Sequence, residues 1–194
     1  MIHNEVLDCI HARRSTRNFL DRQIEQEQLE TLLDAAIWAP SGGNNQTWMF
    51  AAIQNEETLL KLNGFVREGF QHWTPDDNYP AKLAAKASSQ KENFNFYYHA
   101  PTLIIALNRP DYENAMADCS VALENLFLAA QSLGLGSCYI NQLHWLQGDQ
   151  GVRDYLFELG IPKDYTICSA AAVGYIGKES VSLPRKAGTT LIID

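Results

Sequence analysis

The sequence predicts an α+β fold in one domain, on three observations. Helical periods and buried-strand runs mix along the chain without the strict strand–helix–strand rhythm of a doubly wound sheet. The 194 residues fall in the range of a single domain, and 46% hydrophobic against 20% charged is an ordinary globular balance with enough apolar side chain for a real core. No internal repeat or low-complexity segment breaks the chain into smaller units.

Taken in order, Asn4 caps a first helix whose apolar side is Val6, Leu7 and Ile10, with Glu5 at the positive end of its dipole. That pattern stops near Arg13-Arg14-Ser15-Thr16-Arg17. A second helix, roughly 25–38, carries Leu29, Leu32, Leu33, Ala36 and Ile37 at helical spacing and is ended by Pro40. Turn-forming residues 41–46 lead into a buried strand, Trp48 to Ile53. Asn55 and Gly64 bracket a short helix as its cap and C′ residue. Residues 72–80 read as a loop, and the Ala- and Lys-rich stretch 81–92 as an exposed helix. Thr102 to Leu107 is a second strand. A long helix follows, with Met116, Cys119, Leu123, Leu126, Phe127, Ala130 and Leu133 on one side and Gly134 at C′. Leu135 to Asn141 is a third extended segment. Asp149 caps a helix carrying Val152, Leu156 and Leu159, stopped by Gly160 and Pro162. Ile167 to Ile176 is an Ala-rich fourth strand. The tail, 189–193, is β-prone with no local partner, and such an edge is more comfortable added to another subunit's sheet.

Charge and cysteine usage exclude several function classes. Fifteen Lys and Arg against 23 Asp and Glu give a net charge of −8, the wrong sign for a nucleic-acid surface. The four cysteines, Cys9, Cys119, Cys138 and Cys168, are scattered singly and read as free thiols, without disulfide or zinc spacing. The five histidines show no metal-ligand spacing, and no serine sits in a nucleophile elbow. No apolar run approaches the ~20 residues of a membrane helix and the N-terminus shows no leader, so a soluble cytoplasmic protein is expected.

Three constellations remain. Arg13-Arg14-Ser15-Thr16-Arg17 sets three guanidiniums and two hydroxyls at a helix end, a combination suited to phosphate oxygens and a polyol chain. A solvated basic turn completing the helix dipole would read the same way. Pro40-Ser41-Gly42-Gly43-Asn44-Asn45-Gln46 offers close backbone approach and directional amides, or is a plain helix-to-strand connection. Pro184-Arg185-Lys186 is a second basic spot, able to close on the same anion or to lie in a solvated tail. The glycines of Gly134-Leu135-Gly136 follow a helix and precede a strand, the reverse of a dinucleotide fingerprint.

In order and spacing these pieces resemble the nitroreductase family of FMN-dependent oxidoreductases. The matching segments are Arg13 to Phe19, Ala39 to Trp48, the run Asp118, Ala122, Asn125-Leu126 and Leu128 to Ala130, then Leu133 to Gly136, Val173-Gly174-Tyr175 and Pro184 to Lys186. The resemblance implies an α+β homodimer with a central, mainly antiparallel sheet flanked by helices, the C-terminal strand exchanged between subunits, and two FMN sites in the interface. Arg13, Arg14 and Ser15 would hold the phosphate and ribityl end, closed by Arg185 and Lys186, and Arg17 would sit near flavin N1 and the C2 carbonyl. Pro40, Ser41, Gly42, Asn44 and Gln46 would come from the other subunit. Tyr139, Ile140, Asn141 and Gln142 would lie along the isoalloxazine, with a backbone N–H near Asn141 directed at N5. A fixed cation by N1 favours the reduced, anionic ring, so the protein needs no catalytic side chain or metal of its own. NADH or NADPH would deliver hydride, and a nitroaromatic, quinone or similar acceptor would take it in ping-pong turnover. Other reactions on the same fold (dehalogenation, enone reduction, flavin destruction) and a non-catalytic flavin sensor or carrier stay open. Thr47 stands where the family has proline, and 65–98, the stretch that lids the substrate pocket, matches nothing well; Asn93 and Asn95 are its polar candidates.

Overall fold

The structure, a computed structural model, describes residues 2–193. Its centre is a four-stranded sheet in the order β1-β2-β4-β3, formed by β1 (Met49–Ile53), β2 (Thr102–Asn108), β3 (Leu135–Ile140) and β4 (Thr166–Tyr175), with every pairing antiparallel. The four strands are those the apolar runs predicted, within two residues at each end. All seven residues of β2 are buried, because it is an inner strand covered on both faces. Leu103, Ile105 and Leu107 point to one side and Ile104 and Ala106 to the other. A bulge opposite Ala106 and Leu107 adds one residue to β4, so Ile167 and Ala170 face the same side despite their odd separation.

Helices cover both faces. On one lie α3 (Glu56–His72), α4 (Pro80–Ser89), α6 (Gln142–Trp145) and α7 (Gln150–Glu158), burying Leu62, Val66, Phe70, Leu143, Val152 and Leu156 against the sheet. On the other lie α2 (Gln26–Ile37) and α5 (Ala115–Ser132), through Leu29, Leu32, Ala36, Leu123, Leu126 and Ala130. The caps read from sequence are in place. Asn55 accepts from Thr58 N and Asp149 from Val152 N, while Gly134 and Gly160 take left-handed φ of +71° and +94° just past their helices.

One expectation needs correction, and two features lie outside the sequence reading. Gly64 does not end its helix. It sits on the exposed face of α3, which continues because Val66 and Phe70 carry the buried stripe of Leu59 and Leu62 onward, and their burial outweighs the ~1 kcal/mol of an interior glycine. The short helix α6 was not anticipated; its four residues are too few for a period to register. The apolar side of α1 (Glu5–Ala12), capped by Asn4 on Leu7 N as expected, is not part of the core: Val6 is 65% and Ile10 42% exposed. The tail segment 189–193 pairs with no strand among the described residues, and Leu191, Ile192 and Ile193 stand in solvent. All four cysteines are free. No helix among the described residues is long and apolar enough to cross a membrane.

Candidate functional site

The first basic cluster is held in place by β3. Helix α1 ends at Arg13, whose extended backbone turns the chain alongside that strand. Thr16 N donates to the Ser137 carbonyl at 2.8 Å, and Leu20 N reaches the Tyr175 carbonyl at 2.9 Å. Thr16 is buried against Gly136 so closely that a Cβ at 136 would lie 2.6 Å from its Oγ1. The two glycines of 134–136 are thereby explained without a nucleotide: one turns the chain, the other lets the Arg13–Arg17 segment approach the sheet.

The result is a cleft of about 200 Å³ lined by Arg13, Arg14, Ser15, Arg17 and Arg185, with Ser180, Val181 and Leu183 as its C-terminal wall. Arg14 is locked: it donates to the carbonyls of His11 and Arg13 and to Ser182 Oγ, each at 2.6 Å. Ser180 Oγ donates to the Ser15 carbonyl at 3.0 Å and ties the wall to the cluster. Arg13 Nε lies 3.2 Å from the Glu124 carboxylate, yet this buried donor has no aligned acceptor. Burial pushes the Cys138 thiol up, with the charges of Arg17 and Arg13 pulling it back. Four arginines and a serine converging on one small cleft fit a phosphate. A larger cavity, about 460 Å³, lies elsewhere, and Asp21 and Glu56 in its wall give it the wrong sign for an anion.

Not every predicted residue gathers there. Lys186 does not line the cleft, whereas Arg185 does. The loop from Pro40 to Gln46 is on another face, where Gln46 borders a groove with Leu33, Ile37, Trp48, Met49 and Phe50. This loop is strongly shaped. Both oxygens of the buried Asp118 accept from Gly42 N at 3.2 Å, and Tyr112 donates to Asp118 at 2.8 Å. Ser41 Oγ accepts from Gln46 N, Asn44 Oδ1 accepts from Gln46 Nε2, and Asn44 and Gln46 take φ of +56° and +49°. Residues 139–142 form the end of β3 and the start of α6. The Tyr139 ring packs on Phe127, Ile140 is buried in the core, Asn141 is the N-cap residue of α6 and Gln142 opens that helix.

Sequence reasoning missed the wall residues Ser180, Val181 and Leu183, which carry no distinctive chemistry. It also gave no role to Asp118, although a carboxylate beside Cys119 and Ala122 on a buried helix face is a legible signal. Asn95 offers little to a ligand, since its side-chain oxygen accepts from Tyr97 N and His99 N. No cluster of three or more metal-ligating side chains occurs among the described residues.

The fold has counterparts. A nitroreductase with bound FMN from Bacteroides fragilis superposes with a TM-score of 0.90 at 40% identity, covering 99% of this chain and 100% of that one. A provisionally named NADH dehydrogenase/NAD(P)H nitroreductase of Archaeoglobus fulgidus is 32% identical over 171 residues, 88% of this chain and 85% of its own. An FMN reductase [NAD(P)H] of Bacillus subtilis is 28% identical over 184 residues, 94% of this chain and 70% of its own. The nitroreductase family pattern matches residues 10–175, from the end of α1 to the last residue of the sheet. With the Arg13–Arg17 side of the cleft and the whole antiparallel sheet inside that span, the chain belongs to the nitroreductase family of flavin oxidoreductases.

Proposed function

We propose that this chain binds FMN and uses it to pass hydride from NADH or NADPH to nitroaromatic, quinone or similar acceptors, in ping-pong turnover and as a homodimer. The observation that carries the reading is the cleft lined by four arginines, in a chain 40% identical to a protein whose structure holds FMN. When bound, FMN supplies the two-electron hydride carrier that no side chain of this protein can provide.

The protein's part is binding, orientation and electrostatics. Arg13, Arg14, Ser15 and Arg185 hold the phosphate, and the locked geometry of Arg14 means little order must be gained on binding. Arg17 keeps a positive charge at the ring's N1 and C2 carbonyl side. The start of α6, at Asn141 and Gln142, presents backbone N–H groups to the ring. Lys186 contributes long-range charge.

The homodimer rests on surfaces that a monomer leaves unexplained. The exposed Val6 and Ile10 of α1 and the apolar tail 189–193 are interface chemistry, and the tail supplies the exchanged strand. The loop Pro40, Ser41, Gly42, Asn44 and Gln46, away from the cleft of its own chain, reaches the flavin bound by the partner.

The test is direct. Purified protein should be yellow or take up added FMN, and NADH or NADPH should bleach it anaerobically, with an acceptor restoring the colour. A colourless preparation that refuses FMN overturns the reading. Bound flavin that neither nicotinamide bleaches overturns the turnover.

A further inference from the structure

The arginine proposed to face the ring, Arg17, is weakly anchored by its own chain. Its guanidinium makes a long hydrogen bond to the Ser15 carbonyl at 3.5 Å, lies within side-chain hydrogen-bonding reach of Tyr98, and makes no salt bridge among the described residues. What faces it is the ring of Tyr98, whose centroid lies 5.8 Å from the guanidinium carbon, within cation–π range.

Tyr98 occupies an unusual piece of backbone. Tyr98 and His99 are consecutive non-glycine residues with left-handed φ of +57° and +56°. A bulky aromatic residue adopts that conformation only where its surroundings enforce it. The enforcement is visible. Asn95 Oδ1 accepts from Tyr97 N at 3.1 Å and His99 N at 2.8 Å, closing the turn around Tyr98. Asn63, on α3, accepts from Phe96 N at 3.1 Å and donates to the Phe94 carbonyl at 2.9 Å, fixing the turn to the body. Phe96 and Tyr97 are buried on either side of that anchor. Two asparagines, two buried aromatics and a left-handed pair thus serve one half-buried side chain, and that side chain meets Arg17.

We propose that Tyr98 is a positioning residue for Arg17: its ring, presented by the Asn95-closed turn, holds the guanidinium at the cleft and so determines how strongly bound FMN is driven toward its reduced form. The inference rests on the reading of Arg17 as the cation beside the flavin. A mobile guanidinium spends part of its time in water, where its field is screened; a ring that fixes it keeps the charge where reduction places negative charge. Because Tyr98 is not a wall of the cleft, FMN binding through its phosphate is unaffected.

The experiment is an anaerobic redox titration of FMN-loaded protein against a reference dye, with FMN affinity measured in parallel. Arg17→Gln should weaken the preference for the reduced flavin about tenfold, lowering the two-electron midpoint by ~30 mV. Tyr98→Leu should weaken it about threefold, or ~14 mV, with the affinity for oxidised FMN within about twofold of wild type. Tyr98→Phe keeps the ring and removes the hydroxyl that also reaches Arg17, and should give a potential between those of wild type and Tyr98→Leu. If Tyr98→Leu does not fold, Asn95→Ala, which opens the turn and leaves the ring, should give the same fall. A wild-type potential in Tyr98→Leu or its substitute, alongside a fall in Arg17→Gln, overturns the positioning role alone. No fall in Arg17→Gln overturns the placement of Arg17 and the inference with it.

Discussion

Two apolar regions of this molecule behave in opposite ways. The inner strands β2 and β4 hold their aliphatic side chains at essentially zero exposure, packed from both faces. Helix α1 and the segment 189–193 also carry apolar side chains, yet Val6, Leu191, Ile192 and Ile193 stand largely in water and Ile10 is exposed. In the sheet, hydrophobicity is consumed within the chain. At the two termini it is not, and these termini flank the arginine cleft, whose residues come from the end of α1 and from 180–185. A core needs no partner; an exposed apolar arm beside this cleft is the surface on which the proposed dimer rests.

The strongest way to break this contrast is in the sheet. Leu103→Ala should cost about 2–5 kcal/mol in urea unfolding, since a fully buried leucine leaves a cavity between the sheet and the helices on its side. A loss below the lower figure would mean that the inner strand is less tightly packed than its burial implies. Next comes the cleft. Arg13→Ala should weaken FMN binding by about 1.5–3 kcal/mol, read by titrating flavin fluorescence, while the melting temperature of the apoprotein stays put. Unchanged retention of FMN would remove Arg13 from the site.

The seam between cleft and sheet is tested by Gly136→Ala. A Cβ 2.6 Å from Thr16 Oγ1 forces the Arg13–Arg17 segment away from β3, at about 1–3 kcal/mol by overpacking. The same variant should bind FMN more weakly, because the arginines move with Thr16; wild-type affinity would show the cluster to be independent of its anchor. The smallest effect on chain stability is expected at the termini. Val6→Ser should change monomer unfolding by no more than about 0.5 kcal/mol, the range of exposed sites. It should nevertheless shift the protein from dimer toward monomer in sedimentation. A wild-type protein that sediments as a monomer would deny the termini their interface role.

Legibility followed the range of the interactions involved. The strands, the long helix α5 and the caps at Asn4, Asn55 and Asp149 were readable because each is decided within a few residues by periodicity or by one side chain bonding its own backbone. Gly64 misled because the local preference for a break was overridden by Val66 and Phe70, whose core partners are distant in sequence. At the site, the arginine cluster was visible as composition, but not which cations converge. Arg185 lines the cleft and Lys186, its neighbour, does not, a difference set by the path of the chain after β4 and by no local pattern. The support given to the loop at Gly42 by Asp118 and Tyr112, and to Tyr98 by Asn63 and Asn95, joins elements separated by up to 76 residues.

By itself the sequence determined the α+β class, the order of the elements, and an acidic chain carrying a small number of cations in two clusters. Those properties depend on residue type and local spacing. Only the tertiary structure decided that four arginines from opposite ends of the chain share one cleft, that Gly136 is the clearance Thr16 requires, and that Arg17 faces Tyr98. Each of these depends on the close approach of distant segments, which packing and backbone hydrogen bonding across the sheet bring about and which no local pattern encodes.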